Sequence, residues 1–133
     1  MILLDTHTLV WLDEGSTRLG QHSLSTINQA LKSQELFVSA ISFWEVAMLV
    51  DKGRLIMKMS IESWRKGLID NGLQEIPLTG GDAIKSALLT NFHGDPADRM
   101  IVATAITLNA ILCTADKKIL TWDQSLQRID ARE

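Results

Sequence analysis

The stretch His93-Gly94-Asp95-Pro96-Ala97-Asp98-Arg99-Met100-Ile101-Val102-Ala103-Thr104-Ala105, continuing through Ile106 to Leu120, sets the fold of this chain. Pro96 suits the first helical position, where its missing N–H removes only a donor that has no partner anyway, and Asp95 before it is a good N-cap. A helix starting there carries Asp98 in its first turn. Met100, Ile101, Ala103, Ala105 and Leu108 give that helix enough apolar surface to cover a sheet. Ala110-Ile111-Leu112-Cys113 then reads as a short, fully buried strand ending at Thr114-Ala115-Asp116. In open α/β sheets ligand sites lie just outside the carboxyl ends of the strands, which makes Asp116 a candidate reactive group. Acids at similar positions elsewhere become candidates with it.

Towards the N-terminus, Ile2-Leu3-Leu4 is a second buried strand, and Asp5-Thr6 closes it where either residue can cap a following helix with Leu9, Val10 and Leu12. Asp13-Glu14-Gly15-Ser16 breaks that helix, and another runs from about Ser23 to Lys32 with Leu24, Ile27 and Leu31 on one stripe. Leu36-Phe37-Val38 is a strand candidate. Ser39 precedes a helix from Ala40 to Val50 that is apolar nearly all round except for Ser42 and Glu45, a pattern of burial on more than one side. Leu55-Ile56-Met57 reads as extended or as a short helical turn. Ser60 starts a helix ending near Asn71-Gly72, Leu73 to Leu78 is a strand whose Pro77 places that end at an edge or exit, and Gly80-Gly81-Asp82 opens a helix through Leu89. After Asp116, Lys117 to Trp122 forms one or two helical turns, and Gln127 to Asp130 is a short edge strand. Alternating strands and helices predict an α/β fold with a mostly parallel central sheet, helices on both faces and right-handed crossovers.

A length of 133 residues fits one domain spanning 1–133, able to bury roughly 65–70% of its unfolded surface. The composition, 46% hydrophobic and 22% charged, excludes a disordered or low-complexity chain. A net charge of −3 speaks against a broad basic surface for nucleic acid, unless several acids bind metal. The one cysteine, Cys113, falls in a buried strand and fits a reducing compartment. Asp5 follows Met1 and only three further apolar side chains, so no signal peptide is expected, and no apolar run has the length to span a bilayer. The expected location is the cytoplasm, without a membrane partner.

Asp5, Glu45, Asp98 and Asp116 each admit a structural reading. Asp5 and Asp116 can cap the helices after their strands, and Asp98 can complement a helix dipole. Glu45 lies among Trp44, Val46, Ala47, Met48 and Leu49. An unpaired carboxylate buried there would cost several kcal/mol, so it needs a cation, a proton or an ion pair with an arginine such as Arg99. Asp95 is explained as the N-cap and stays outside the site. Converging in one cleft, the four acids could not all remain ionised without a counter-charge, because neighbouring carboxylates raise one another's pKa. All-oxygen ligands suit Mg²⁺ or Mn²⁺, whereas the three His and one Cys show no zinc-site spacing. Acid-held metals hydrolyse phosphodiesters, one ion lowering the pKa of water and a second, where present, stabilising the leaving oxygen. Without the four acids, 12 acidic residues remain against 13 basic ones, a balance of +1.

Leu3-Leu4-Asp5-Thr6, Ser42-Phe43-Trp44-Glu45-Val46-Ala47, Asp95 to Ala105 and Leu112-Cys113-Thr114-Ala115-Asp116 resemble, in order and across nearly the whole chain, the four acidic blocks of PIN-domain proteins of the VapC toxin type. The resemblance implies a three-layer α/β/α fold, Mg²⁺- or Mn²⁺-dependent endoribonuclease activity with one or two ions, and a homodimer. It also implies inhibition by a small VapB-like antitoxin, with operator DNA bound only through that antitoxin. Position by position, Asp5, Glu45, Asp98 and Asp116 match the family's metal-coordinating acids. Thr114 matches a hydroxyl position that supports the fourth acid, and Thr6 the small polar residue beside the first. Arg99 either touches RNA phosphate or forms a structural salt bridge; Lys117 and Lys118 either meet phosphates or are solvated. His7 and His93 flank the expected site, and chemistry based on metal-activated water assigns neither a catalytic role. Trp11, Trp44, Trp64 and Trp122 are scattered rather than interleaved with basic residues, which favours core or interface over base stacking. Trp44 and Met48 are candidates for a dimer or antitoxin surface.

Two other functions are open to such a chain. A haloacid-dehalogenase-like phosphatase needs a second Asp two residues after the first, where this sequence has His7, and a receiver-type phosphoacceptor needs paired acids after its first strand. A non-catalytic module that holds metal or a partner would keep the acids without turnover.

Overall fold

β1 (Ile2–Leu4) is the middle strand of a five-stranded sheet in the computed structural model, which describes Met1–Glu133. With β2 (Leu36–Ser39), β3 (Gln74–Ile76), β4 (Ile111–Thr114) and β5 (Arg128–Asp130), the order across the sheet is β3-β2-β1-β4-β5. All four pairings are parallel, so the sheet is wholly rather than mostly parallel. The chain moves outward from β1 through β2 to β3, then returns to the other flank of β1 for β4 and β5. That reversal opens a crevice at the carboxyl ends of β1 and β4.

Seven helices cover the two faces: α1 (Thr6–Glu14), α2 (Gln21–Lys32), α3 (Ala40–Asp51), α4 (Ile61–Asp70), α5 (Gly80–Ala87), α6 (Pro96–Leu108) and α7 (Lys117–Leu120). Strand alternation divides the core. Ile2, Leu4, Leu36, Val38 and Cys113 pack with Leu9, Ile27, Val46 and Trp64 of α1 to α4. Leu3 and Leu112 point the other way and pack with Ile101, Val102, Ala105 and Ile119 of α6 and α7. The result is the three-layer α/β/α arrangement. Burial pushes the Cys113 thiol up to about 12, which leaves it an inert core residue.

Helix starts follow local capping chemistry: Ser39, Ser60, Thr79 and Asp95 each accept a backbone N–H from the first turn of their helix. α6 ends at Asn109, whose φ of 51° is the left-handed geometry that stops a helix.

Two expectations are corrected. Leu55 to Met57 forms neither strand nor helix; it lies in a bend that leaves Ile56 91% exposed. α5 stops at Ala87, short of Leu89. α3 is covered on more than one side, as its sequence predicts: Phe43 and Val46 pack in one core layer and Ile41 against the other, while Trp44 stays 50% exposed. No helix is long and apolar enough to cross a membrane.

Candidate metal centre

β1 and β4 carry acids into the crevice because each strand runs directly into a helix start. Asp5 Oδ1 accepts the Thr8 N–H at 2.8 Å and caps α1, and Asp116 Oδ1 accepts the Lys118 N–H at 2.8 Å and caps α7. A carboxylate has two oxygens, so a cap leaves one for other work. Asp5 Oδ2 accepts the hydroxyl of Thr114, whose Oγ1 in turn accepts the Asp116 N–H at 3.1 Å. Thr114 therefore touches the carboxylate of the first acid and only the backbone of the fourth, whereas the resemblance had it supporting the fourth. Buried Thr6 donates its hydroxyl to Ser42 Oγ at 2.9 Å, fastening α1 to α3 one turn before Glu45.

Asp5, Glu45, Asp98 and Asp116 line one cavity of about 390 Å³, together with Asp95, Trp11 and Arg132. A second cavity between α5 and the chain after α7 is larger, about 510 Å³, and contains no acid, His or Cys. Asp95 corrects its exclusion from the site. Its Oδ1 accepts the Asp98 N–H at 3.1 Å as an N-cap should, and its charge still faces the cavity.

None of the four acids pairs with a Lys or Arg. Glu45 Oε1 is buried with no hydrogen-bond partner. Burial pushes the Asp98 carboxyl up to about 8, helped by the charges of Asp95, Asp116, Glu45 and Asp5. Burial also raises Asp5, against the lowering effect of its bonds to Thr114 and Thr8. Carboxylates crowded together without a basic partner, one of them with an orphaned buried oxygen, are a donor set that fits a hard divalent cation.

Arg99 forms no salt bridge with Glu45 or any other acid. Its guanidinium donates to three backbone carbonyls: His93 O at 2.8 Å, Ser86 O at 2.9 Å and Phe92 O at 2.8 Å. It ties the 92–93 loop and the end of α5 to α6. Lys117 and Lys118 are exposed just after Asp116, and His7 is exposed at the cavity. His93 lies deeper than its sequence neighbours imply, with Nε2 3.4 Å from Asp98 Oδ2 and 4.0 Å from Asp116 Oδ2. Its position two residues before the Asp95 cap was the available signal.

Residues 2–123 match the PIN domain, and the chain belongs to the PIN-domain family. It is 34% identical over 119 residues to Ribonuclease VapC22 of Mycobacterium tuberculosis (strain ATCC 25618 / H37Rv), covering 89% of this chain and 88% of that protein. Among solved structures it resembles VapBC2 from Rickettsia felis bound to a DNA fragment from their promoter, at 18% identity, TM-score 0.69, and 98% and 100% of the two chains. It also resembles FitAcB from Neisseria gonorrhoeae, at 18% identity, TM-score 0.64, and 98% of each chain. The two structures share its fold.

Two measurements follow from the electrostatics and the arginine anchor. Because folded Asp98 holds its proton to about pH 8 while the unfolded carboxyl loses it near pH 4, the folded state binds more protons between those values. Stability of the metal-free protein therefore falls as pH rises through that window, and Asp98→Asn removes the fall. Thermal melts in chelator are expected to place the variant roughly 5 °C above wild type at pH 8.5 and level with it at pH 4. In urea unfolding, Arg99→Ala is expected to lose about 2–4 kcal/mol, and Arg99→Lys to recover only a minor part, since an ammonium lacks the planar fork that reaches three carbonyls.

Proposed function

We propose that this protein is a metal-dependent endoribonuclease, the toxin of a VapBC-type toxin–antitoxin pair. The observation that carries the reading is the convergence of Asp5, Glu45, Asp98 and Asp116 on one cavity with no Lys or Arg paired to any of them, within a PIN domain 34% identical to a VapC ribonuclease. Asp5, Glu45, Asp98 and Asp116 would hold Mg²⁺ or Mn²⁺, one or two ions per site. When bound, such an ion supplies an activated water and charge stabilisation at the phosphate.

The chain's own groups prepare the site. Thr114 holds Asp5 at the end of β1, the cap on α7 fixes Asp116, and the buried wall around Glu45 keeps water from that oxygen. Hydrolysis adds water oxygen to phosphorus and breaks the bond to the 3′ oxygen, leaving 5′-phosphate and 3′-hydroxyl ends. Lys117, exposed beside Asp116, would meet a substrate phosphate as a point charge. The partners in this reading are RNA, a small VapB-like antitoxin and a second copy of the chain, with operator DNA reached only through the antitoxin. The half-exposed Trp44 on α3 supports a protein-facing surface there. The cytoplasm is the compartment that fits these partners.

The test is cleavage of a structured-RNA pool by antitoxin-free protein with Mg²⁺, Mn²⁺ or chelator. Wild type is expected to cut only with metal and to leave 5′-phosphates. Asp5→Asn, Glu45→Gln and Asp98→Asn should each lower the rate about 100-fold or more, since disturbing only the supports of metal ligands already costs about 10- to 100-fold. Products ending in 2′,3′-cyclic phosphate would contradict the mechanism. A folded wild type that binds its partner and cuts nothing would favour a non-catalytic module.

A further inference from the structure

We infer that His93 is a positioning residue of this centre: its Nε2–H, fixed by the Asp95 N–H on the other ring nitrogen, lies beside the Asp98 carboxylate and restrains its orientation. The inference rests on the nuclease reading for its consequence in RNA cleavage.

The first observation is the tautomer. The Asp95 N–H donates to His93 Nδ1 at 3.3 Å. A ring nitrogen that accepts a hydrogen bond carries a lone pair, so the ring proton sits on Nε2. The second observation is where that proton goes. Nε2 is buried and has no hydrogen-bond partner, and it lies 3.4 Å from Asp98 Oδ2 and 4.0 Å from Asp116 Oδ2. At 3.4 Å Nε2 stands beside Asp98 Oδ2 with no hydrogen bond formed between them. The third observation is that the ring is held. Phe92 stacks on it with centroids 4.5 Å apart and planes at 25°, and Arg99 anchors its backbone carbonyl.

Ligand-capable atoms of His93, Asp98 and Asp116 lie within 4.8 Å of one another, which makes a direct nitrogen ligand the competing role. The hydrogen bond to Nδ1 separates the two. A ligating Nε2 would need its lone pair, moving the ring proton to Nδ1, where it would face the Asp95 N–H donor against donor. The observed arrangement instead leaves the Nε2 proton within 3.4 Å of Asp98, and donors beside metal-binding carboxylates fix their orientation.

The experiment uses full-length wild-type protein with ¹⁵N-labelled histidine, followed by long-range ¹H–¹⁵N spectra without metal and with Mg²⁺. Free Mn²⁺ is counted by electron paramagnetic resonance to give the affinity of wild type, His93→Gln and His93→Phe. The expected spectra show the Nε2–H tautomer in both states. Folded His93→Phe is expected to bind Mn²⁺ about 10- to 100-fold more weakly, and His93→Gln, which keeps an N–H donor, to stay within about threefold of wild type. An Nδ1–H tautomer, loss of the Nε2 proton on adding Mg²⁺, or a folded His93→Phe with wild-type affinity would overturn the inference. Should His93→Phe fail to fold, the wild-type spectra decide. Wild type that takes up Mn²⁺ but leaves RNA intact contradicts the nuclease reading alone, because the spectra and affinities are measured without RNA.

Discussion

Repulsion among the carboxylates of Asp5, Glu45, Asp95, Asp98 and Asp116 is the constraint on which the rest of this structure depends. Burial, helped by the charges of its acidic neighbours, keeps Asp98 protonated up to about pH 8, and no Lys or Arg pairs with any of these acids. The fold must hold them together against that force. It does so with a wholly parallel sheet whose middle strand, β1, is fully buried, and with helices α1, α6 and α7 that start at the cavity. A divalent cation would turn the same repulsion into binding energy.

Economy at the helix starts makes the arrangement possible. Asp5, Asp95 and Asp116 each use one oxygen to cap a helix, which fixes the side chain and leaves the second oxygen oriented by the backbone. Capping and cation binding are therefore two uses of one residue. Thr114 joins β4 to β1 through the Asp5 carboxylate, and Arg99 gathers carbonyls from the end of α5 and the 92–93 loop onto α6. The positions of Asp98 and His93 depend on that anchor.

Much of this was legible in the sequence because it is local. Asp-Pro before an apolar stripe announced α6, the two apolar strand cores announced β1 and β4, and the acids immediately after them fell where a parallel sheet opens its crevice. What was illegible depends on distant chain. Arg99 bonds to Ser86 O, 13 residues away, and no periodicity forecasts which carbonyls a loop turns towards it. The role of His93 requires the Phe92 ring and the Asp95 N–H in their folded places. α3 shows another limit: its apolar run announces burial on more than one side but not that Trp44 stays half exposed. Asp95 was set aside because its cap explained it, although a cap occupies only one of its two oxygens.

The most direct test of the central claim is anomalous diffraction at the manganese edge from crystals grown with Mn²⁺. The account predicts an anomalous peak within coordination distance of carboxylate oxygens from Asp5, Glu45, Asp98 and Asp116, absent from Asp98→Asn crystals grown alongside. Fully occupied Mn²⁺ elsewhere, with the cavity empty and the four carboxylates as far apart as without metal, would contradict it.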